Sequence, residues 1–257
     1  MKNKRVALFD IDHTLAQHTK KASDEIGHTP KKLITAMSIL SKHVEIILVT
    51  AQPICVAENM QRKLKLNVKF APNHGSVLHC SNKKETFLFP ENKIKNLENL
   101  TKEIKRKVFK TGAYVDPRPR KGTLQFYWHS WKEKDLLLKK RSEFEFWLKK
   151  RSLSIKWNLH DLGIEILPIN CGKEKIVNWL KSNNNEIIIA AGDSKSDLPL
   201  IKSAKWPIVA RAKNEESCSE LLKFVNGSGY AAKANEPHGY GTATGIMKAL
   251  ECGLVKF

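Results

Sequence analysis

The sequence predicts an α/β protein: a Rossmann-like parallel-sheet core with helices on both faces, plus an inserted α+β cap domain. Three observations predict it. Near-continuous apolar runs alternate with amphipathic helical segments at both ends of the chain. That rhythm stops near Cys80 and resumes near Gly163. Between these points lies a block with a different charge and a different, alternating strand pattern.

Each element follows in turn. "RVALFD" is the first strand. "HTPKKLITAMSILSKH" is helical, with Thr29 as expected N-cap and Pro30 at the first helical position. "VEIILVT" is a second strand, "CVAENMQRKLKL" a helix and "VKFAP" a short third strand. The block 81–162 holds two amphipathic helices, "NKIKNLENLTKEIKRKVF" and "KDLLLKKRSEFEFWLKKR". Strands are expected at "GTLQFYWHS", "LSIKWNLHD" and "GIEIL". Trp128, Trp131, Trp147 and Trp157 all fall there and are expected to form its small core. After it, "GKEKIVNWLKSN" is a helix, "NEIIIAAGD" a strand, "SDLPLIKSA" a helix and "PIVA" a strand. "NEESCSELLKFV" and "TATGIMKALE" close the chain as helices. The expected domains are therefore a core of residues 1–80 and 163–257 and a cap of 81–162.

Composition narrows the class. Among 257 residues, 41% are hydrophobic and 28% charged, the balance of a soluble globular protein. The longest apolar runs, such as Ile46 to Val49 and Ile187 to Ala191, have strand length, so no membrane span is expected. The basic and then apolar start is cut by Asp10 and Asp12, too early for a signal peptide. Cys55, Cys80, Cys171, Cys218 and Cys252 are odd in number and lack CxxC spacing; reduced thiols in a cytoplasmic protein are expected. The net charge of +19 opens nucleic acid, anionic lipid or a phosphorylated substrate as partners. Yet the basic residues are 37 Lys and 8 Arg, and directed phosphate recognition favours the guanidinium fork. Residues 81–160 carry 21 Lys and Arg against 9 Asp and Glu, so the surplus is concentrated in the inserted block.

The chemistry collects at strand ends. Asp10 and Asp12 end the first strand, Thr50 the second, and Asp193 a later one, with Asp197 four residues on. In a parallel sheet these ends converge on one edge. Carboxylates gathered there repel unless a cation sits among them. Oxygen-only donors suit Mg2+. An early-helix lysine, Lys173, adds a positive charge, and the set fits phosphoryl transfer: a carboxylate attacks while metal and lysine neutralise the phosphoryl oxygens.

"FDIDHTL", "ILVTAQP", "NCGKEKIVNWL" and "AGDSKSDLPLI" resemble, in this order, the four signature motifs of the haloacid dehalogenase superfamily of phosphatases. The resemblance covers about residues 4–80 and 163–250. It implies that Asp10 attacks phosphorus and forms an aspartyl-phosphate. It implies that Asp12 protonates the leaving group and then activates water. Thr50 would hydrogen-bond the transferring phosphoryl and Lys173 offset its charge. Mg2+ would be held by Asp10, Asp193 and the main-chain carbonyl of Asp12, with Asp197 supporting the site directly or through Asp193.

The chain departs from that pattern at several places. His13 stands where the family usually has Gly; it is a candidate to touch the leaving group, and packing or facing solvent is the alternative. Thr50-Ala51-Gln52 replaces the frequent Thr-Gly-Arg. Glu174 replaces a Gly after the motif lysine, which makes Lys175 a rival to Lys173; the apolar Ile176, Val177 and Leu180 favour Lys173. "APNHGSVLH" resembles the family's Asn-Gly-Ala turn, with Asn73 a candidate to replace the usual Asn and a purely structural turn the alternative.

Spacing locates the cap. Only 39 residues separate Asp10 from Thr50, but 122 separate Thr50 from Lys173. This resembles the branch with a large α+β cap after the second motif, which includes Cof-like, sucrose-phosphate, trehalose-phosphate and mannosyl-glycerate phosphatases and phosphomannomutase. The expected substrate is a small phosphorylated metabolite, in first place a sugar phosphate. A phosphosugar mutase, or a phosphatase acting on nucleotides or nucleic-acid ends, is the alternative. Arg118, Arg120 and Lys121 are candidate cap contacts; a solvated basic turn is the rival reading.

Overall fold

The computed structural model describes residues 4–17, 23–79, 85–151, 155–160, 163–210, 215–225 and 227–254. The chain divides into two compact units, Met1–Leu88 with Gly172–Phe257, and Phe89–Cys171.

The first unit opens with β1 (Lys4–Phe9), α1 (Lys31–Leu40), β2 (Glu45–Val49), α2 (Ile54–Leu64) and β3 (Lys69–Ala71). Two short strands follow, β4 (Val77–His79) and β5 (Glu85–Phe87). Alternate residues of β1 serve opposite faces of the sheet. Ala7 and Phe9 pack with Leu33, Met37, Val56 and Met60 of the helices on one side. Val6 and Leu8 pack with Ile176, Leu180 and Leu200 on the other. A strand buried on both faces must be apolar throughout, which is why β1 reads as an unbroken hydrophobic run. One local expectation fails. Pro30, not Thr29, takes the N-cap position of α1, with φ −64° and ψ 141°. The extended ψ of Pro30 delays the helix by one residue, and the Thr29 hydroxyl donates instead to the Gly27 carbonyl at 3.4 Å.

The second unit contains α3 (Glu91–Phe109), β6 (Tyr114–Val115), β7 (Leu124–Tyr127), α4 (Trp131–Lys139), α5 (Arg141–Lys149), β8 (Ile155–His160) and β9 (Gly163–Pro168). Its strands form an antiparallel sheet in the order β6-β7-β9-β8. Phe126, Ile164 and Ile166 pack against Leu97, Ile104, Val108, Phe144 and Leu148 of the helices. Trp128 is buried in this core and Trp147 and Trp157 lie against it; the Trp131 side chain falls outside the described positions. The helix expected from Lys134 onward is broken at Lys140, whose φ of −92° and ψ of 5° separate α4 from α5. On the other face of the sheet, Gln125 and Glu165 are cross-strand partners and the Asp116 amide donates to the Gln125 carbonyl at 2.8 Å.

The chain then returns to the first unit through α6 (Glu174–Ser182), β10 (Asn185–Gly192), α7 (Leu198–Ser203), β11 (Trp206–Val209), α8 (Glu215–Leu222), β12 (Tyr230–Ala231) and α9 (Gly239–Glu251). The completed sheet runs β12-β11-β10-β1-β2-β3-β4-β5, parallel up to β3 and antiparallel beyond it. The β4–β5 pairing extends this sheet, and β9 pairs with β7 and β8. The division of the chain accordingly falls after Leu88 and after Cys171, beyond the 80/81 and 162/163 limits read from the sequence rhythm. The central strand β1 lies between β2 and β10. That is a topological switch point, where an open α/β sheet forms a crevice at its strand ends. No helix among the described residues is long and apolar enough to cross a membrane.

Candidate active site

Asp10 follows β1 directly, and its amide still bonds the Ala191 carbonyl of β10 at 3.1 Å. The chain then folds sharply. His13 adopts φ +58°, and its amide donates to the Ala16 carbonyl at 2.8 Å, while Leu15 donates to the Ile11 carbonyl at 2.9 Å. This compact loop is anchored from outside: the Thr242 hydroxyl, in α9, donates to the Thr14 carbonyl at 2.6 Å.

Three carboxylates and one ammonium meet at this point. Lys173 Nζ, 2% exposed, lies 2.6 Å from Asp10 Oδ1 and 2.5 Å from Asp197 Oδ1. Among the described residues Lys173, not Lys175, is the lysine bonded to Asp10. The Thr14 hydroxyl stands 3.5 Å from Asp10 Oδ2 and 3.4 Å from Asp193 Oδ1, so it bridges the two acids. The second oxygen of Asp197 accepts the Asp193 and Ser194 amides at 3.2 and 3.1 Å and the Ser194 hydroxyl at 3.0 Å. Asp197 thus holds the end of β10 and Lys173 together. Gly192 makes that possible, because a Cβ there would stand 2.3 Å from the Asp197 Cβ.

Burial sets the electrostatics. It pushes the Asp10 carboxyl up to about 7; Lys173 opposes the rise, and Asp197 and Asp12 add to it. Asp193 is likewise held well above the ordinary carboxylate range, first by burial and then by Asp197 and Asp10. Burial alone would lower Lys173, but the charges of Asp10 and Asp197 outweigh it and hold the ammonium protonated. With all groups ionised the negative charge exceeds the positive, and the cluster favours a further cation. Carboxylate oxygens of Asp10, Asp193 and Asp197 lie within 4.8 Å of one another, close enough to share one metal ion.

The remaining sequence candidates are placed differently. The Asp12 side chain is not in the cluster; its Oδ2 accepts the Gln52 amide at 2.8 Å. Thr50 is buried at the end of β2, its hydroxyl accepting the Gln52 main-chain N–H at 3.1 Å. Asn73 and His74 are buried with φ of +50° and +59°, and their amides bond the Gln52 and Thr50 carbonyls at 2.9 and 2.8 Å. Asn73 Oδ1 has no hydrogen-bond partner among the described residues. His13 takes the left-handed backbone for which glycine is best suited, and its Nδ1 lies 3.4 Å from Nδ1 of His238. Burial, aided by His28, holds His238 below the ordinary imidazole range.

In the second unit, Arg118 and Arg120 are not a solvated turn. Their side chains are 8% and 4% exposed, and both clasp Asp116. Arg118 donates through Nε and Nη2 at 2.9 and 2.8 Å, and Arg120 through Nη2 at 2.7 Å. Arg118 also reaches the Tyr127 hydroxyl at 3.3 Å, and Arg120 donates to Gln125. Burial would raise Asp116, but the hydrogen bonds of Arg118 and the charge of Arg120 overcome it and hold the carboxyl below its usual range. Lys121 is exposed.

Sequence reasoning gave no site role to Thr14, Ser194, His238 or Thr242, and noted Gln52 only as a departure from the family's Thr-Gly-Arg. Thr14 stands inside "FDIDHTL" and Ser194 inside "AGDSKSD", and each had a local signal. Gln52, His238 and Thr242 act across the tertiary fold.

A family model of haloacid dehalogenase-like hydrolases matches residues 7–136. No curated protein sequence matches the chain. Among solved structures, a protein from Thermoplasma acidophilum has a TM-score of 0.67 at 17% identity, over 97% of this chain and 99% of that one. A haloacid dehalogenase-like hydrolase from Bacteroides thetaiotaomicron has 0.68 at 15%, over 96% and 99%. The C-terminal domain of a C. albicans trehalose-6-phosphate phosphatase has 0.59 at 16%, over 78% and 73%. At such identities the structures bear on the fold, and the family rests on the sequence match. The chain is an enzyme of the haloacid dehalogenase-like hydrolase family.

Proposed function

We propose that this enzyme is a magnesium-dependent phosphomonoesterase that hydrolyses a small phosphorylated metabolite, in first place a sugar phosphate, through an aspartyl-phosphate on Asp10. The observation that carries the reading is the buried contact of Asp10 with Lys173, next to Asp193, at the end of the central strand. Asp10 supplies an oxygen nucleophile and Lys173 a fixed cation beside it. The Asp10 oxygen bonds to phosphorus as the leaving-group oxygen departs and takes a proton from the Asp12 carboxyl. Asp12 then accepts a proton from water, whose oxygen attacks the aspartyl-phosphate and releases inorganic phosphate. The Gln52 amide orients Asp12 for both transfers. Thr50 donates to the phosphoryl oxygens, and Asp197 keeps Lys173 in position.

The donor set fits a hard divalent cation. Asp10 and Asp193 offer oxygens only, are bridged by one hydroxyl, and are both held above their ordinary range, first by burial and then by the neighbouring carboxylates. Asp10, Asp193 and the Asp12 carbonyl would hold Mg2+. When bound, it supplies Lewis-acid neutralisation of the transferring phosphoryl group. The resemblance to a trehalose-6-phosphate phosphatase domain supports a sugar phosphate. We assign selectivity to the inserted unit and a cytoplasmic location to the whole.

The test is phosphate release over a panel of phosphorylated metabolites with Mg2+ present. The proposal expects sugar phosphates to head the panel and chelation to stop turnover reversibly. An isomerised sugar phosphate without free phosphate would identify a mutase instead. Preference for oligonucleotide ends, with steep salt dependence, would identify a nucleic-acid phosphatase.

A further inference from the structure

The long helices of the second unit commit their apolar stripes to its core and turn a different face outward. In α3, Leu97, Ile104 and Val108 are buried, and in α5, Phe144 and Leu148. Lys102, Lys105, Arg106 and Phe109 follow the i, i+3, i+4, i+7 spacing that shares one helix face, and that face lies opposite the buried stripe of α3. With Lys110 they line an open hollow of about 490 Å³. From Lys102 to Lys110 the chain carries five basic residues and one acid, Glu103. That acid is taken by Arg151 at 2.8 Å. Among the described residues, Lys102, Lys105, Arg106 and Lys110 form no ion pair.

The end of α5 lies alongside. Arg151 meets Glu103, and Lys107 Nζ stands 5.8 Å from the centre of the Trp147 ring. Glu103 to Lys107 is one turn forward in α3, and Arg151 to Trp147 one turn back, so the two helices run antiparallel. This side adds Lys149, Lys150 and Arg151 to the basic layer. Phe146 is 60% exposed, with Lys150 Nζ 4.6 Å from its ring centre, and Phe109 is 54% exposed. Neither ring serves the core, and each stands among cations.

We propose that the outer face of α3 and α5 is a docking surface for a single nucleic-acid strand, with phosphates on its lysines and arginines and bases stacked on Phe109 and Phe146. The unpaired positive charge calls for a polyanion, and the exposed rings are the stacking platforms that a strand with unpaired bases uses. An anionic membrane fits less well. Both helices have committed their apolar stripes to the core and keep no continuous apolar face to lie in an interface. Most of the cations are lysines, point charges without the directional guanidinium fork, so the contacts would carry no sequence information. The strand is a docking partner and not the substrate: every residue of this surface belongs to the second unit, and Asp10 to the first.

The experiment measures binding of a fluorescent single-stranded RNA of about 16 nucleotides, without terminal phosphates, by anisotropy over a salt series. About five phosphate contacts would give log K against log[salt] a slope of about −3.5. Lys102→Gln, Lys105→Gln and Arg106→Gln made together should flatten that slope by about 2 and weaken binding at low salt by at least about tenfold. Phe109→Ala with Phe146→Ala should weaken binding about tenfold at an unchanged slope. All five positions lie on the outer face, so both variants should keep the native Tm and the native rate on p-nitrophenyl phosphate. No binding by the native protein, or undiminished binding by either variant, overturns the proposal. Tighter attachment to phosphatidylserine vesicles than to the RNA overturns it too and would assign the face to a membrane. The readout is binding and not phosphate release, so this failure is distinguishable from failure of the proposed phosphatase activity.

Discussion

Each unit of this protein buries acidic and basic side chains together, with opposite effects on a central carboxylate. In the first unit Asp10, Asp193 and Asp197 surround a single ammonium, Lys173. In the second, Arg118 and Arg120 both close on the carboxylate of Asp116. The same physics gives opposite signs. Where acids outnumber the base, burial wins and Asp10 is pushed up to about 7. Where two guanidinium groups bond one carboxylate directly, hydrogen bonds and charge win and Asp116 is held down. A cluster that leaves its acids short of positive charge is poised to take a cation. A cluster whose carboxylate is doubly satisfied is a brace.

The largest expected contrast is in turnover. Asp10→Asn should lower kcat by at least about 10^4-fold while the protein stays folded, because it removes the nucleophile proposed above and relieves repulsion. Asp116→Asn should leave kcat for a minimal substrate such as p-nitrophenyl phosphate within about tenfold. Steady-state kinetics with circular dichroism decides both, and equal losses would erase the distinction between site and brace.

Stability comes next. Lys173→Met strands buried carboxylates and should cost about 3–5 kcal/mol in urea unfolding without Mg2+. Asp116→Asn should cost less, about 2–3 kcal/mol, because Arg118 and Arg120 retain Tyr127 and Gln125 as partners. The reverse order would mean that Asp116 is the more isolated charge.

The pH dependence should differ in sign. The folded pKa of Asp10 lies above its unfolded value, so the folded state binds the extra proton between about 4 and 7. Its contribution to stability falls as pH rises through that window, and Asp10→Asn should flatten the fall. The folded pKa of Asp116 lies below its unfolded value. Its contribution is present above the unfolded value near 3.8 and disappears as pH falls through the folded one. Unfolding free energies of the native protein and the two Asn variants, taken across this range without divalent ions, give the two slopes; like signs would break the comparison.

The smallest effect should be that of Thr14→Val. Its hydroxyl links Asp10 and Asp193 at long distances, and its removal should cost about 1 kcal/mol and lower kcat about tenfold. A null effect on both would show that the bridge is incidental.

Much of the first unit was legible because one-dimensional signals coincide there. Buried parallel strands must be apolar, so the acids that end them stand out. Asp10, Asp193 and Asp197 could be read from that contrast, and Lys173 from its place before an apolar helical face. What escaped depends on distant chain: Gln52 reaching Asp12, Thr242 holding Thr14, His238 meeting His13. No periodicity encodes such pairs. β4, β5, β6 and β12 have two or three residues each, too few for an alternation to register. In the second unit, "DPRPRKG" carries every mark of a solvated turn. Its arginines are buried because Asp116 sits beside Gln125 on the sheet, a register that appears only once the strands pair.

The central claim is that Asp10 becomes covalently phosphorylated. The most direct measurement is acid quenching of the enzyme during turnover of a sugar phosphate with Mg2+, followed by mass spectrometry of the peptide containing residues 6–16. The account predicts a mass gain of one phosphoryl group on Asp10 that vanishes in Asp10→Asn and decays with phosphate release. Turnover with the label on another residue, or with Asp10 unmodified throughout, would contradict it.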